Sequence, residues 1–222
     1  MQDPGRGRCI GGFATYARYS GTAHQSETAR MPPPPLAHYR RALETYIDAK
    51  DNTRANRIAE AFAPDAVLTI SLATSNIAFP ARTVGTDAIA KTLVTDFGAQ
   101  YAQCRTYYVC NPLAVENGTI DALPWLVVMR ERVTGALRVG HGVYRWTFDA
   151  TSAVTGFHIH IARMDVVADV DGKLLEALQD GLSYPWLVPA DLHMHLTSLA
   201  RSTPALAFVE AFSRPAVASA GG

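Results

Sequence analysis

The side chains with which this chain could do chemistry are seven histidines, nine tyrosines and three cysteines. His158 and His160 stand two apart in a β-rich run, so both project from one face of a strand, at the spacing of a metal-binding pair. The alternating residues Phe157, Ile159 and Ile161 are apolar and predicted to point inward, which leaves the histidines on the outer face. On the preceding run His141 and Arg145 share a parity with Val139 and Val143, while Gly142, Tyr144, Trp146 and Phe148 share the other. No carboxylate accompanies these histidines at ligand spacing, so no metal site is assigned. His193 and His195 are spaced badly for a pair on a helix and carry the same reading. Cys9, Cys104 and Cys110 are odd in number and follow no metal or redox spacing, so they read as free thiols in a reducing, cytoplasmic compartment. Nothing has the pattern of a phosphate-binding loop, a nucleophile elbow or a zinc-protease helix, and no cofactor is expected.

The elements that would position these groups follow from periodicity. Leu36, Tyr39, Leu43, Tyr46 and Ile47 recur at three and four and predict an amphipathic helix ending near Lys50. Ile58, Ala59 and Phe62 mark a shorter helix stopped by Pro64 and Asp65 before a strand from Ala66 to Leu72. Thr86 and Asp87 supply a capping signal for a third helix, with Ile89, Leu93, Phe97 and Tyr101 on one face. The period then changes to two. Strands are predicted over Arg105–Glu116, Ile120–Thr134, Leu137–Phe148 and Phe157–Val167, the first two joined through Asn117-Gly118, a strong hairpin signal. Asn117-Gly118-Thr119 is also a glycosylation sequon, but no signal peptide precedes it and the turn reading is preferred. Leu174, Leu175 and Leu178 predict a short helix, and the small residues from Ser213 onward are expected to fray. Helices followed by a meander of long strands make an α+β pattern.

Composition bounds the partners. Twenty Lys plus Arg balance twenty Asp plus Glu, and the basic residues are scattered, which argues against nucleic acid and an anionic membrane surface. Apolar runs are strand-sized and broken well before the length of a membrane span. Residues 1–35, rich in Gly and Arg and ending in four consecutive prolines, read as a disordered extension, and Met31 is an alternative start to Met1. The organisation expected is this extension, a domain over 36–168, and a C-terminal helical extension with a frayed tail over 169–222.

The segments YIDAKDNTRANRIAEAFAPDAVLTI and VGTDAIAKTL resemble the opening of a SnoaL-like domain of the nuclear-transport-factor-2-like superfamily. The likeness continues through TYYVCNPLAVENGTIDA, Gly142-Val143-Tyr144 and Arg163-Met164-Asp165, so it covers roughly residues 36–168. It implies a cone-shaped curved antiparallel sheet with three N-terminal helices on its concave face, a cystatin-like α+β half-barrel whose mouth holds a small apolar ligand. Tyr46 falls where ketosteroid isomerases of this superfamily carry the tyrosine that donates to a developing enolate. The general-base position is Ile70, which cannot take a proton, and the partner-donor position is Tyr144. Asp51 falls on the aspartate of the dehydrochlorinase and dehydratase dyad, but its histidine is replaced by Tyr107, a poor base at neutral pH. Taken by its own context, Asp51 reads as a helix cap or solvated turn residue.

The function expected is therefore a pocket for a small hydrophobic molecule. Tyr46, Asp51, Tyr107 and Tyr144 are its candidate catalytic groups, and Phe97, Tyr101, Trp125, Tyr144 and Trp146 its aromatic walls. Cofactor-free isomerase, dehydratase or cyclase chemistry is one expectation. A non-catalytic homodimeric binding or accessory domain is the alternative. In a homodimer, the outer face carrying Val139, His141, Val143, Arg145, His158 and His160 would be the contact.

Overall fold

A computed structural model describes residues 34–217. Apart from Pro34 and Pro35, the expected disordered extension lies outside the described residues, as do Cys9 and the last five residues of the expected tail. Helix α1 (Leu36–Asp51) buries Tyr39, Leu43, Tyr46, Ile47 and Lys50, one stripe at helical spacing that ends in a charged residue. The second helix is a 3₁₀ turn, Ala55–Glu60, held by Ile58 in the core. Strand β1 (Phe62–Leu72) starts earlier than expected and runs through Pro64. Its ladder is irregular between Phe62 and Val67, so Pro64 and Asp65 stand exposed where no ladder hydrogen bond is needed.

After β2 (Arg82–Val84) the third helix is built in three pieces, α2 (Thr86–Ala90), a π-helical turn (Lys91–Asp96) and α3 (Phe97–Gln100). The Thr86 hydroxyl does not cap it; it donates to the Ala63 carbonyl at 2.8 Å and ties the helix to β1. The strands β3 (Tyr101–Val109), β4 (Thr119–Glu131), β5 (Leu137–Phe148) and β6 (Val154–Val167) form the antiparallel meander. Asn117 and Gly118 take φ of 49° and 70°, and Glu116 and Thr119 exchange 2.9 Å backbone hydrogen bonds, the tight turn that this dipeptide predicts.

The C-terminal segment adds α4 (Lys173–Asp180), β7 (Trp186–Leu187), α5 (Pro189–Ser202) and a 3₁₀ helix, Pro204–Phe212. The seven strands make one curved, unclosed sheet in the order β2-β1-β6-β5-β4-β3-β7. It is mixed rather than wholly antiparallel, because β1 lies parallel to β6 and β7 parallel to β3.

Both faces of the sheet carry apolar cores. The N-terminal helices cover the concave face through Leu43, Tyr46, Ile89, Leu93 and Phe97, which meet Trp125, Tyr144, Trp146, Phe157 and Ile159 of the sheet. On the opposite face, Tyr107, Val109, Leu126, Val128, Leu137 and Val139 are covered by Leu175, Leu178, Leu192, Leu196, Leu206 and Phe212 of the C-terminal segment. Fully buried Asp169 starts that segment: its carboxylate accepts from the backbone N–H of Leu174 (3.1 Å) and Leu175 (3.2 Å) and from Arg130 Nη2 (3.0 Å). Ser213 and Ala216, in the stretch expected to fray, are buried. The outer face expected as a dimer contact is accordingly narrower. Val139 lies beneath the segment and the His141 ring packs on Phe212 at 4.9 Å, leaving Arg145, His158 and His160 on the open half.

Candidate functional site

Between α1, the π-helical turn, α3 and the sheet lies a cavity of about 30 Å³, room for one or two water molecules. Its walls are apolar: Phe97 and Leu93 from the helices, Trp125, Val127 and Met129 from β4, and Ile159, Ile161 and Met164 from β6. Ile77 and Phe79, from the loop between β1 and β2, form the remaining wall, with Phe79 stacked on Phe97 at 6.4 Å. Tyr46, Lys50 and Tyr144 also line this space, but the surface they present to it is apolar.

Tyr46 is fully buried and its ring is packed edge-on by Tyr144, Trp146 and Phe157. Its hydroxyl lies near enough to Tyr144 to influence ionisation, yet reaches no partner at hydrogen-bonding geometry. The indole Nε1 of Trp125 is likewise buried and without a partner, and its ring is stacked on Tyr144 at 5.2 Å. A buried polar group left unmatched costs about 1–3 kcal/mol, and two such donors belong to residues that line this one cavity. Gly142 permits this arrangement: a Cβ there would clash with the His160 carbonyl oxygen and meet Trp125 Cζ2 at 2.8 Å. Burial holds the hydroxyls of Tyr46 and Tyr144 well above the usual tyrosine range, so both remain neutral donors.

Lys50 sits one helical turn after Tyr46 with its Nζ bonded to Asp51 Oδ1 (3.0 Å), Thr106 Oγ1 (2.8 Å) and Cys104 Sγ (3.3 Å), and 4.4 Å over the Phe97 ring. Burial works against the charged ammonium, but Asp51 beside it more than compensates, and Lys50 is held above the ordinary lysine range. Asp51 is saturated. It also accepts from the Thr106 backbone N–H (2.6 Å), the Thr106 hydroxyl (2.9 Å) and the Tyr184 hydroxyl (3.1 Å), and its side chain is 2% exposed. It is neither a solvated turn residue nor a free base. Cys104 is also inert as a nucleophile, since burial pushes its thiol up to about 12.

The structure therefore brings together Tyr46, Tyr144, Trp125 and Phe97 of the expected site and separates the others. Tyr101 packs on Phe97 at 4.9 Å without lining the cavity, and Trp146 lies deeper, stacked on Phe157 at 3.7 Å. Tyr107 faces the other side of the sheet. The cause is a bulge in β3 between Ala102 and Arg105, with Gln103 at φ 50°, which reverses the alternation and turns Cys104, Thr106 and Tyr108 into the cone. Burial pushes Tyr107 up to about 12, despite the nearby Arg105.

Lys50, Thr106, Tyr184 and the Ile77–Phe79 wall are participants that periodicity did not single out. Lys50 alone carried a signal, seven residues after Leu43 and four after Tyr46 on the buried stripe. Cys104 and Cys110 are free thiols. No helix among the described residues is long and apolar enough to cross a membrane.

The helices on one face and the curved, unclosed sheet make the α+β half-barrel architecture expected. No family model matches the chain, and no curated protein matches it. Among solved structures it is similar to the hexachlorocyclohexane dehydrochlorinase LinA-type3 from Novosphingobium barchaimii LL02, at 12% identity and a TM-score of 0.47 over 60% of this chain and 90% of that one. It is similar also to an NTF2-like protein of unknown function from Burkholderia pseudomallei K96243, at 15% identity and a TM-score of 0.46 over 56% of this chain and 90% of that one. A third, an NTF2-like protein from Burkholderia xenovorans LB400, has 14% identity and a TM-score of 0.43 over 58% and 90% of the two chains.

Proposed function

We propose that the cone is a binding pocket for a small hydrophobic molecule that presents an acceptor oxygen to Tyr46 and Trp125. The observation that supports this reading is the pair of buried, unpartnered donors, Tyr46 Oη and Trp125 Nε1, around an otherwise apolar cavity. An acceptor such as a ketone or enone oxygen relieves both, and the Lys50 ammonium in the same wall adds a favourable field. Met129 and Met164 adapt readily to the outline of a ligand. Entry requires that Phe79 and Ile77 move aside, because a space of about 30 Å³ admits only water.

The same geometry favours binding over proton abstraction. The polar side chains of this wall are donors, and Asp51, the nearest carboxylate, is engaged by Lys50, Thr106 and Tyr184. Isomerase, dehydratase or cyclase chemistry would need a base that these side chains do not provide.

Calorimetric titration of small cyclic enones and hydroxyketones tests the proposal. A member of the panel should bind, and Tyr46→Phe should weaken it by about 1–3 kcal/mol, the cost of an unmatched acceptor in an apolar site. Failure of every compound to bind both the wild type and Phe79→Ala, whose entrance is widened, overturns it.

A further inference from the structure

On the open half of the second sheet face the parallel pairing of β1 with β6 sets Thr69 opposite His158 and Ser71 opposite His160. Their side chains form one chain of contacts. Thr69 Oγ1 is 2.8 Å from His158 Nδ1, Ser71 Oγ is 3.2 Å from His158 Nε2, and the same Ser71 Oγ is 2.9 Å from His160 Nδ1. With neutral rings the chain runs in one of two directions. In the first, His160 Nδ1–H donates to Ser71, Ser71 donates to His158 Nε2, and His158 Nδ1–H donates to Thr69. In the second, every donor is reversed. In both, the Ser71 hydroxyl proton is aimed at an imidazole nitrogen, which is the arrangement of a serine paired with its base, and Thr69 orients the ring.

We propose that Ser71 is the nucleophile of a second site, outside the cone, that takes the acyl group of activated carboxylic esters. All four side chains are partly exposed, and Thr69 and His158, with Val67, Thr147 and Arg145, line a groove of about 480 Å³ that Ser71 and His160 flank without lining. Among the described residues Arg145 is paired only with exposed Asp121, at 3.1 Å, so its guanidinium is available to an anionic substituent on the ester. Burial, His160 and Arg145 all depress the proton affinity of His158 and keep the ring neutral, as a base must be.

In the first direction, Ser71 Oγ bonds to the ester carbonyl carbon as its proton passes to His158 Nε2, and the carbonyl electron pair moves onto oxygen. His160 Nδ1–H, already directed at Ser71, lies beside the developing charge. Collapse breaks the bond to the leaving oxygen, which takes the proton from His158 and departs as the alcohol. Water then adds to the acyl-serine with the same imidazole as base, releasing the carboxylic acid and restoring Ser71. The sum is ester plus water to acid plus alcohol.

The test uses the full chain and p-nitrophenyl acetate at pH ~7.5, above the ordinary histidine range. A burst of p-nitrophenolate and an acetyl group mapped by peptide mass to Ser71 are expected. Ser71→Ala should abolish both, and His158→Gln should slow the burst about a hundredfold, the contribution of a general base. Thr69→Val should shift the pH profile of the burst and Thr69→Ser restore it, which marks Thr69 as a positioning residue. Acetylation confined to lysines or the amino terminus, or a burst unchanged in folded Ser71→Ala, overturns the proposal.

Discussion

The two faces of the sheet are built from different chemistry although both are buried. The face under the C-terminal segment is closed by leucines, with Leu178, Leu196, Leu206 and Phe212 at zero exposure. The concave face is aromatic, and it contains a buried ion pair together with the unpartnered Tyr46 hydroxyl and Trp125 and Trp146 indoles. Aliphatic packing needs no partner beyond shape, so that face serves stability. Orphaned polar atoms raise the energy of the fold and occur on both faces, Tyr107 and His141 lying under the segment, so what sets the concave face apart is that two of its orphans, Tyr46 and Trp125, belong to residues lining a cavity. One sheet thus carries two kinds of packing, aromatic with a buried ion pair on its concave face and largely aliphatic under the C-terminal segment.

The sharpest way to break this division is at the ion pair. Asp51→Ala leaves the Lys50 ammonium buried without its counter-charge and removes the acceptor for Thr106 and Tyr184. The expected loss in urea unfolding is about 3–5 kcal/mol, and Asp51→Ala with Lys50→Met should regain much of it. A double variant as unstable as the single one would show that the pair is not what Asp51 serves. On the supporting face, Leu196→Ala should cost about 2–5 kcal/mol through the cavity it opens. It should leave ligand affinity in the cone unchanged, and a parallel loss of affinity would show that the two faces are coupled.

Much of this arrangement was legible in residue order. The stripe from Tyr39 to Ile47, the Asn117-Gly118 turn and the alternation along β5 and β6 each predict the observed element and the face it buries, because local spacing dictates them. Tyr107 was not legible in this way. A single bulge at Gln103 reverses the parity of β3, and nothing in the alternation of Tyr101–Val109 announces where an extra residue will sit. Asp51 reads as solvated because its partners, Thr106 and Tyr184, are 55 and 133 residues away in the chain. The cover over Val139 escaped for the same reason: Leu206 and Phe212 find it only through tertiary packing.

A smaller effect sharpens the idea of a site under strain. Tyr46→Phe removes a hydroxyl that has no partner, so the unliganded protein should lose nothing and gain up to about 1 kcal/mol, against the destabilisation expected from most core substitutions. Thermal unfolding without ligand measures it, and a loss of several degrees would mean that the hydroxyl is satisfied in solution.

The smallest effect lies under the C-terminal segment and comes from acid. His141 packs against Phe212, with its Nδ1 buried and unpartnered, and the Arg163 guanidinium lies over the same phenyl ring at 5.2 Å. Burial and then Arg163 lower its proton affinity, opposed by Asp165; His195, on α5, is lowered by burial, opposed by the carbonyls of Ala177 and Leu178 of α4. Folded-state values below the unfolded one mean that the unfolded chain takes up protons first. The stability contributed is complete above about pH 6.5 and is lost as the pH falls through the lowered values. The carboxylates of Asp48, Glu131 and Asp149 are held below their ordinary range and titrate at lower pH, so a comparison of urea unfolding at pH ~7.5 and ~5.5 isolates the histidines. Stability should fall modestly between the two, and His141→Ala should reduce that difference while lowering stability at both. An unchanged difference in His141→Ala would place the acid sensitivity elsewhere, with His158 on the open half of the face the next residue to substitute.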